Sequence, residues 1–289
     1  MAERQIIFVL GMGRSGTSAI TRVMSLCGAR LPEPLLGASD SNLTGHWEPI
    51  DAININNAFL SRHGASWYDP TLRLQGEIAF STQEKDAYIE RIRAFIENSN
   101  AGTLLVIKEP RIAALADFWF EASRRASIAA KVIIPIRHPD QVAASLAARD
   151  GVSAELANIL WLKYNFLAER SSRKLPRVFV EYVDFLSDWR KQINRISERL
   201  AVDLSDADET AIGDFLDPNL HRQRSCGAPN DPLGQPWTSD TYMALSAAAR
   251  DEPLNLQKID AMFAAFAACE RTFRRSLEDF SRRELDPFL

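Results

Sequence analysis

The chain has 289 residues, of which 46% are hydrophobic, and this composition is enough to bury a large core in one α/β domain. Its formal net charge of −4 and isoelectric point of about 5.7 disfavour a general nucleic-acid-binding protein and restrict any anion site to a local basic pocket. Cys27, Cys226 and Cys269 are far apart and lack metal-ligand spacing, so we expect reduced thiols in a cytoplasmic protein. The first apolar run, residues 6–10, is too short for a signal peptide or a membrane span.

A glycine-rich segment near the N-terminus organises the chain. Residues 6–10 form a continuous apolar run, which predicts a strand buried on both faces, and the glycine-rich residues 11–18 follow it. The spacing of Ile20, Val23 and Met24 predicts a helix directly behind this loop. A strand, a glycine loop and a helix N-terminus together predict an anion site, because free backbone N–H groups and the helix dipole face the ligand.

This loop differs from the nucleotide P-loop pattern G-x-x-x-x-G-K-[ST] at one position. Gly11, Gly16 and Ser18 fit the pattern, but Thr17 occupies the lysine position, which disfavours ATP or GTP hydrolysis. Arg14 lies inside the loop and offers a planar guanidinium group to an oxyanion. The alternative interpretation is a βα turn that binds no ligand.

Helices and strands are predicted to alternate along the rest of the chain. Helices are predicted at about residues 49–63, 84–98, 112–125, 139–149, 154–173, 185–200 and 256–284, and strands at 103–107, 131–136 and 178–180. This alternation predicts a three-layer α/β fold around a parallel sheet of about four to five strands with right-handed crossovers. Pro135 is unexpected inside the third strand, because proline removes a ladder donor.

The C-terminal part is predicted to be mostly helical. A polar loop rich in Pro and Gly interrupts it at about residues 220–237, and a loop of this length in a compact domain often has a function. We expect residues 1–289 to form a single domain, with a core at about 5–200 and a helical part at about 206–289.

Three cations follow three of the predicted strands. Arg14, Lys108 and Arg137 each come directly after an apolar strand or within the loop that follows it. Because ligands of parallel sheets bind at the carboxyl ends of the strands, these side chains predict an anion site at that edge.

Two motifs resemble those of sulfotransferases, enzymes that use 3′-phosphoadenosine 5′-phosphosulfate (PAPS). Residues 11–18 resemble the 5′-phosphosulfate loop of that family. Arg137, followed eight residues later by Ser145, resembles its 3′-phosphate motif. Residues 180–184 are similar to the family's Tyr-Glu-Asp stretch, in which the tyrosine, here Tyr182, lies near the nucleotide.

The resemblance covers about residues 5–200 and implies a donor, a reaction and a set of site residues. It implies sulfuryl transfer from PAPS to a hydroxyl or amine of a small-molecule or saccharide acceptor, with adenosine 3′,5′-bisphosphate (PAP) as product and no metal. The residues that it assigns to the nucleotide are Gly13, Arg14, Ser15, Gly16, Thr17, Ser18, Arg137, Ser145 and Tyr182.

Two departures separate this chain from the aryl and steroid sulfotransferases. Pro110 occupies the position of their catalytic histidine, and their C-terminal Arg-Lys-Gly-x-x-Gly motif is absent. Residues 108–111 and 45–48, which read Lys-Glu-Pro-Arg and Gly-His-Trp-Glu, are instead similar to bacterial and carbohydrate-type enzymes. In those enzymes a glutamate between the two phosphate motifs is the general base.

Glu48 is therefore the candidate base. Pro49 follows it and holds its backbone extended, at the mouth of a predicted helix. Asp51 is the rival candidate, and His46 and His63 are weaker ones. An acid at a helix N-terminus that only interacts with the helix dipole is the alternative interpretation of Glu48.

Sulfuryl transfer builds negative charge on the leaving oxygen and on the sulfuryl oxygens, and fixed cations and N–H groups stabilise that charge. Arg14 and Lys108 are the candidates for this role. Trp47, Trp67 and Tyr68 are available to line an acceptor site, although core packing is an equal alternative for them. By position and charge, residues 221–225 are candidates for closing over the nucleotide.

Two other functions stay open at this point. A small-molecule kinase of the P-loop type is disfavoured, because Thr17 replaces the lysine and Arg137, rather than an Mg²⁺-binding aspartate, ends the third strand. A nucleotide-binding module without catalytic activity is the second alternative.

Overall fold

The computed structural model describes residues 4–39, 42, 44–76, 80–99, 102–216 and 227–285, with side chains described as far as residue 282. Four strands form one sheet: β1 (Gln5–Val9), β2 (Leu104–Lys108), β3 (Ala129–Ile136) and β4 (Arg177–Glu181). Their order is β2-β1-β3-β4, and every neighbouring pair is parallel. The predicted parallel α/β sheet is therefore confirmed, and β1 and β3 are its inner strands.

Helices flank this sheet on both faces. The helices before β4 are α1 (Thr17–Leu26), α2 (Ile50–Arg62), α3 (Arg73–Gly76), α4 (Thr82–Asn98), α5 (Ala116–Arg125), α6 (Pro139–Asp150) and α7 (Ala154–Ser171). The helices after β4 are α8 (Tyr182–Ser187), α9 (Trp189–Leu200), α10 (Glu209–Phe215), α11 (Trp237–Ala249) and α12 (Leu256–Leu285). The helical character predicted for the C-terminal part is confirmed over the residues that the structure describes.

Two predicted helices differ from the structure. The helix predicted over 185–200 is divided at Asp188, because the side chain of Asp188 accepts a hydrogen bond from Lys191 N at 3.0 Å and starts α9 as its N-cap. The helix predicted over 112–125 begins instead as a 3₁₀ turn, Pro110–Ala114, and α5 starts two residues later.

The side chains of β1 alternate between two cores, which explains why its apolar run shows no alternation. Ile6 and Phe8 pack with α2, α4, α5 and α7 on one face of the sheet. Ile7 and Val9 pack with α1 and α9 on the other face. A strand covered on both faces in this way reads as a continuous hydrophobic run.

Pro135 lies in β3, which is an inner strand, without removing a bond to β1. Leu10 N donates to the Ile133 carbonyl at 2.9 Å, so the backbone polar groups of residues 133 and 135 face the β1 side. β1 ends at Val9, whose partner is Ile133. Pro135, which has no N–H group, therefore lies beyond the last residue of β3 that is paired with β1. A sheet tolerates proline at such a position, because no strand residue opposite it needs a donor.

Residues 217–226 are outside the described part of the chain, so the expectation for residues 221–225 and for Cys226 stays a prediction. Of the helices that are described, none combines the length and the apolar character that crossing a membrane requires.

Candidate active site

The loop between β1 and α1 has the geometry of an anion site. Gly11, Arg14 and Gly16 have φ angles of 115°, 68° and 86°, so the chain turns through the left-handed region three times before α1 begins. The N-terminus of α1 has no side-chain cap and no acidic residue in its first turn. Ser15 is fully buried, and its Oγ atom has no partner among the described residues. An uncapped helix N-terminus beside an arginine favours a negatively charged ligand.

Tyr182 lies directly against this loop. A Cβ atom added at Gly16 would come within 2.1 Å of Tyr182 Cδ2, so the ring leaves room only for glycine. The Cζ atom of Arg137 is 4.9 Å from the centroid of the same ring. The loop after β1, the end of β3 and the residue that follows β4 therefore meet at one point.

Arg14, Ser145 and Arg137 form one connected group. Arg14 Nε donates to Ser145 Oγ at 3.0 Å, and Arg137 Nη1 donates to the Arg14 carbonyl at 2.9 Å. Arg137 Nε also donates to Gln141 Oε1 at 3.0 Å. Burial lowers the pKa of both Arg14 and Arg137. The two predicted phosphate motifs thus contact each other through Arg14, a link that the sequence did not indicate.

Lys108 connects the glycine-rich loop to the segment that carries Glu48. Lys108 is 2% exposed, and its Nζ atom lies 2.6 Å from Glu48 Oε1. The same Nζ donates to Ser18 Oγ at 3.1 Å, and Ser18 Oγ donates to the His46 carbonyl at 3.1 Å. Burial lowers the pKa of Lys108, and the charge of Glu48 opposes that effect. Glu48 is therefore next to both the predicted cation and the predicted anion loop.

Trp47 anchors this segment from the opposite side. Its φ angle is 58°, in the left-handed region. The guanidinium of Arg22 lies 4.3 Å from the Trp47 ring centroid, and Phe215 meets the ring edge-on at 6.4 Å. Trp47 therefore packs against α1 and α10, whereas Glu48 contacts Lys108.

The remaining base candidates occupy different positions. Asp51 is exposed in the first turn of α2. His63 follows the end of α2, and its Nε2 lies 3.1 Å from Glu84 Oε1. The His46 carbonyl accepts from Ser18, which belongs to the Lys108 group (Lys108, Ser18 and Glu48), and burial lowers the pKa of the His46 imidazole. The structure thus places Glu48 and His46, but not Asp51 or His63, beside Lys108.

A buried polar cluster behind Lys108 was not predicted. Glu109 is fully buried, pairs with Arg111 and accepts a hydrogen bond from Asn56 Nδ2. Asn56 Oδ1 in turn accepts from the Tyr88 hydroxyl at 2.7 Å. Burial raises the pKa of Glu109. The sequence feature that could have pointed to this cluster is Glu109 itself, an acidic residue directly after an apolar strand.

Within the described ranges, no group of three or more His, Cys, Asp or Glu residues is arranged to hold a metal ion.

Two side chains of α7 fix the segment around Trp67 against the loop. The Tyr164 hydroxyl donates to the Trp67 carbonyl at 3.0 Å, and Lys163 Nζ donates to the Asp69 carbonyl at 2.7 Å. A Cβ atom added at Gly13 would lie 3.0 Å from the Trp67 ring. The aromatic segment therefore forms a fixed wall beside the glycine-rich loop.

Comparisons with known proteins give structural likenesses only, since no family model and no curated protein matches the chain. The sulfotransferase domain of the Synechococcus PCC 7002 olefin synthase aligns with 19% identity and a TM-score of 0.45 over 91% of this chain and 96% of that one. The sulfotransferase domain of the curacin biosynthetic pathway aligns with 14% identity and a TM-score of 0.46 over 88% of this chain and 100% of that one. A sulfotransferase from Mycobacterium tuberculosis H37Rv aligns with 15% identity and a TM-score of 0.41 over 91% of this chain and 77% of that one. The function proposed below rests on the residues of the site.

Proposed function

We propose that this chain is a PAPS-dependent sulfotransferase that transfers a sulfuryl group to a hydroxyl or amine of a small acceptor, with a saccharide among the candidates. The observation that carries the proposal is the Lys108 group. One buried lysine contacts both a residue of the anion loop, Ser18, and a carboxylate, Glu48, at 3.1 and 2.6 Å. A cation between an anion site and a carboxylate suits this transfer, because the cation can stabilise the developing charge and the carboxylate can accept a proton.

The donor fits the residues around the loop. The N–H groups of residues 15–18 and the Arg14 guanidinium suit the 5′-phosphosulfate, because an uncapped helix N-terminus and a planar cation both favour an oxyanion. Arg137 and Ser145 suit the 3′-phosphate, and we assign the Tyr182 ring to the nucleotide because it lies against Gly16 of the loop. Thr17, which replaces the lysine of the P-loop, argues against a nucleoside triphosphate in the same loop.

The proposed chemistry follows from the two contacts of Lys108, one with Ser18 of the anion loop and one with Glu48. Bound PAPS would supply an activated sulfuryl group with a phosphate as the leaving group. Glu48 uses Oε1 to hold Lys108 and has Oε2 to accept the proton of the acceptor hydroxyl as the new S–O bond forms. Lys108 and Arg14 stabilise the charge that collects on the leaving oxygen as the old S–O bond breaks.

The kinase and the inactive-module alternatives predict different ligands and different turnover. A sulfotransferase binds PAP without Mg²⁺ and transfers labelled sulfate from PAPS to an acceptor. A kinase prefers Mg-ATP, and an inactive module binds PAP without turnover of any acceptor. Calorimetry with PAP and with Mg-ATP, followed by an acceptor screen with labelled PAPS, separates the three. Preference for Mg-ATP over PAP would contradict the proposal.

A further inference from the structure

Glu109 directly follows Lys108 at the end of β2 but faces the opposite side of the sheet. The backbone of Glu109 is extended, with φ and ψ angles of −151° and 117°, so the side chains of these two consecutive residues point in opposite directions. Lys108 contacts Ser18 of α1 on one side. Glu109 is fully buried on the other side and contacts Asn56 of α2. The end of β2 therefore holds one helix on each face of the sheet.

The hydrogen bonds of Asn56 fix the direction of its amide group. Asn56 Oδ1 accepts from the Tyr88 hydroxyl at 2.7 Å and from Trp119 Nε1 at 3.0 Å. Because an indole is only a donor, the amide oxygen must face Trp119 and the amide nitrogen is left to donate to Glu109 Oε2. Helices α2, α4 and α5 thus meet the end of β2 at one buried amide.

Both carboxylate oxygens of Glu109 accept hydrogen bonds. Oε2 accepts from Asn56, and Oε1 pairs with Arg111 in the 3₁₀ turn that follows β2. Burial raises the pKa of Glu109, and the charge of Arg111 opposes that effect. An ion pair and a second donor therefore hold a carboxylate at a position where burial alone disfavours its charge.

Lys108 and Glu109 hold the segment of the candidate base at two points. Lys108 Nζ lies 2.6 Å from Glu48 Oε1, and Glu48 precedes α2 by two residues. The next strand-end residue, Glu109, contacts Asn56, which lies about 9 Å along the axis of the same helix. The position of Glu48 relative to Lys108 therefore does not depend on their ion pair alone.

The second contact becomes important when Glu48 accepts a proton. Protonation removes the charge of Glu48 and weakens its attraction to Lys108. The contact between Glu109 and Asn56 takes no part in the proton transfer, so it keeps its full strength during that step. Precise placement of the base matters, because a misplacement of about 1 Å can cost a factor of about 10² in rate.

We propose that Glu109 is a positioning residue for sulfuryl transfer, which acts through Asn56 and α2 to hold Glu48 beside Lys108 while the proton moves. This inference rests on the sulfotransferase function proposed above. It goes further by giving a role to a buried carboxylate, and to the network of Asn56, Tyr88 and Trp119 behind it, that the assignment of the base does not need.

Glu109→Gln and Asn56→Asp test the contact singly and together. Alone, the introduced amide turns a donor toward a donor, and the introduced carboxylate faces a second carboxylate. In the double variant the new amide donates to the new carboxylate, while the remaining oxygens still accept from Arg111, Tyr88 and Trp119. We expect each single variant to lower kcat at least about tenfold at unchanged PAP affinity, and the double variant to return to within about threefold of wild type.

The assays use labelled PAPS with phenol and a methyl hexoside as probe acceptors, and calorimetry with PAP. Asn56→Ala, which removes the contact without adding a charge, should show the same loss of kcat and replaces Asn56→Asp if that variant does not fold. Failure of the folded double variant to recover kcat would contradict the role of the contact.

A cycle with Glu48→Gln separates positioning of the base from other effects. If Glu109 acts through Glu48, adding Glu109→Gln to Glu48→Gln should lower kcat by less than about twofold more, because the base is already absent. Multiplied losses in the combined variant would show that Glu109 acts independently of the base, and the inference would be wrong.

Glu169→Gln is the matched control for the loss of a buried carboxylate. Glu169 is fully buried and pairs with Arg173 and with Arg177, which begins β4 at the opposite edge of the sheet. We expect this control to lower the Tm and to leave kcat unchanged. The same pattern in Glu109→Gln would show a role in stability only and would overturn the inference alone. Wild type that binds no PAP, or sulfates neither probe, would overturn the sulfotransferase proposal and this inference with it.

Discussion

Arg14 Nε donates a hydrogen bond to Ser145 Oγ at 3.0 Å, although the two residues are 131 positions apart in the chain. The bond joins the loop after β1 to α6, and the bond from Arg137 Nη1 to the Arg14 carbonyl joins the same loop to the end of β3. Side chains assigned to the two ends of the donor thus support each other before any ligand is bound. The residues assigned to the 5′-phosphosulfate and to the 3′-phosphate are therefore connected within the protein.

Arg14→Ala should weaken PAP binding by about 10- to 100-fold. A charge-assisted hydrogen bond contributes about 1.5–3 kcal/mol, and every 1.4 kcal/mol corresponds to a factor of ten. Isothermal calorimetry at fixed salt measures the change, with Arg62→Ala as the control, because Arg62 is an exposed arginine of α2. Wild-type affinity in Arg14→Ala would remove the phosphosulfate assignment of the loop.

Arg137 should distinguish PAP from AMP, which lacks the 3′-phosphate. Removing that phosphate leaves a largely buried cation without its ligand, at a cost of roughly 2–5 kcal/mol, so wild type should prefer PAP by at least about 30-fold. Arg137→Ala should abolish most of this preference and change AMP affinity little. The measurement is a cycle of two ligands and two proteins. Equal losses for PAP and AMP would mean that Arg137 acts by holding the Arg14 carbonyl.

Glu48→Gln should lower kcat by about 10²–10⁴ and leave PAP affinity nearly unchanged, because glutamine retains a carbonyl oxygen for Lys108 but cannot take a proton from the acceptor. Single-turnover sulfation with labelled PAPS measures the loss. Asp51→Asn is the matched control, since Asp51 lies exposed on α2, close in sequence. If Asp51→Asn loses kcat and Glu48→Gln does not, the base is one helical turn away from its proposed position.

Lys163 should make the stability of the fold depend on pH. Burial lowers the pKa of Lys163 from its ordinary 10.5 to about 8. Between these two values the unfolded chain binds more protons than the folded one, so the free energy of unfolding rises with pH, in total by about 3 kcal/mol for this group. Below pH 8 the penalty for holding a buried charge is present in full, and above about 10.5 it is absent.

Lys163→Met removes this titration and serves as the reference. The stability of wild type minus that of the variant should increase between pH 8 and 10.5, as measured by urea denaturation at several pH values. The difference cancels the titration of other groups, including Lys108. A difference that stays constant over this range would show that Lys163 is not held in a desolvated position beneath the Asp69 carbonyl.

The elements that the sequence predicted well depend on local patterns. The apolar run before Gly11 and the glycine spacing of the loop determined β1 and its turn, because both features act within a few residues. The position of Lys108 and Arg137 at strand ends followed from the parallel sheet itself, since all carboxyl ends meet at one edge. The pairing of Lys108 with Glu48 connects strand and loop and needed the three-dimensional structure.

The features that the sequence did not predict depend on contacts between distant segments. The bond between Arg14 and Ser145 and the bond between Tyr88 and Asn56 each join side chains that no local spacing relates. The division of the helix predicted over 185–200 has a different origin, because Asp188 offers the backbone a cap in competition with a continuous helix. The spacing of apolar residues alone does not show whether a polar side chain such as that of Asp188 will end one helix and begin the next.

Pro135 has a consequence for the loop on the neighbouring strand. In a parallel ladder, the bond that follows Leu10 N to the Ile133 carbonyl would run from the N–H of residue 135 to the Leu10 carbonyl. Proline has no N–H, so hydrogen bonding between the two inner strands stops at Leu10. The chain is then free to leave the sheet at Gly11, and the amides that follow have no strand to pair with. The ladder therefore offers no donor where the chain turns away at Gly11, and the amides of the loop remain available for an anion.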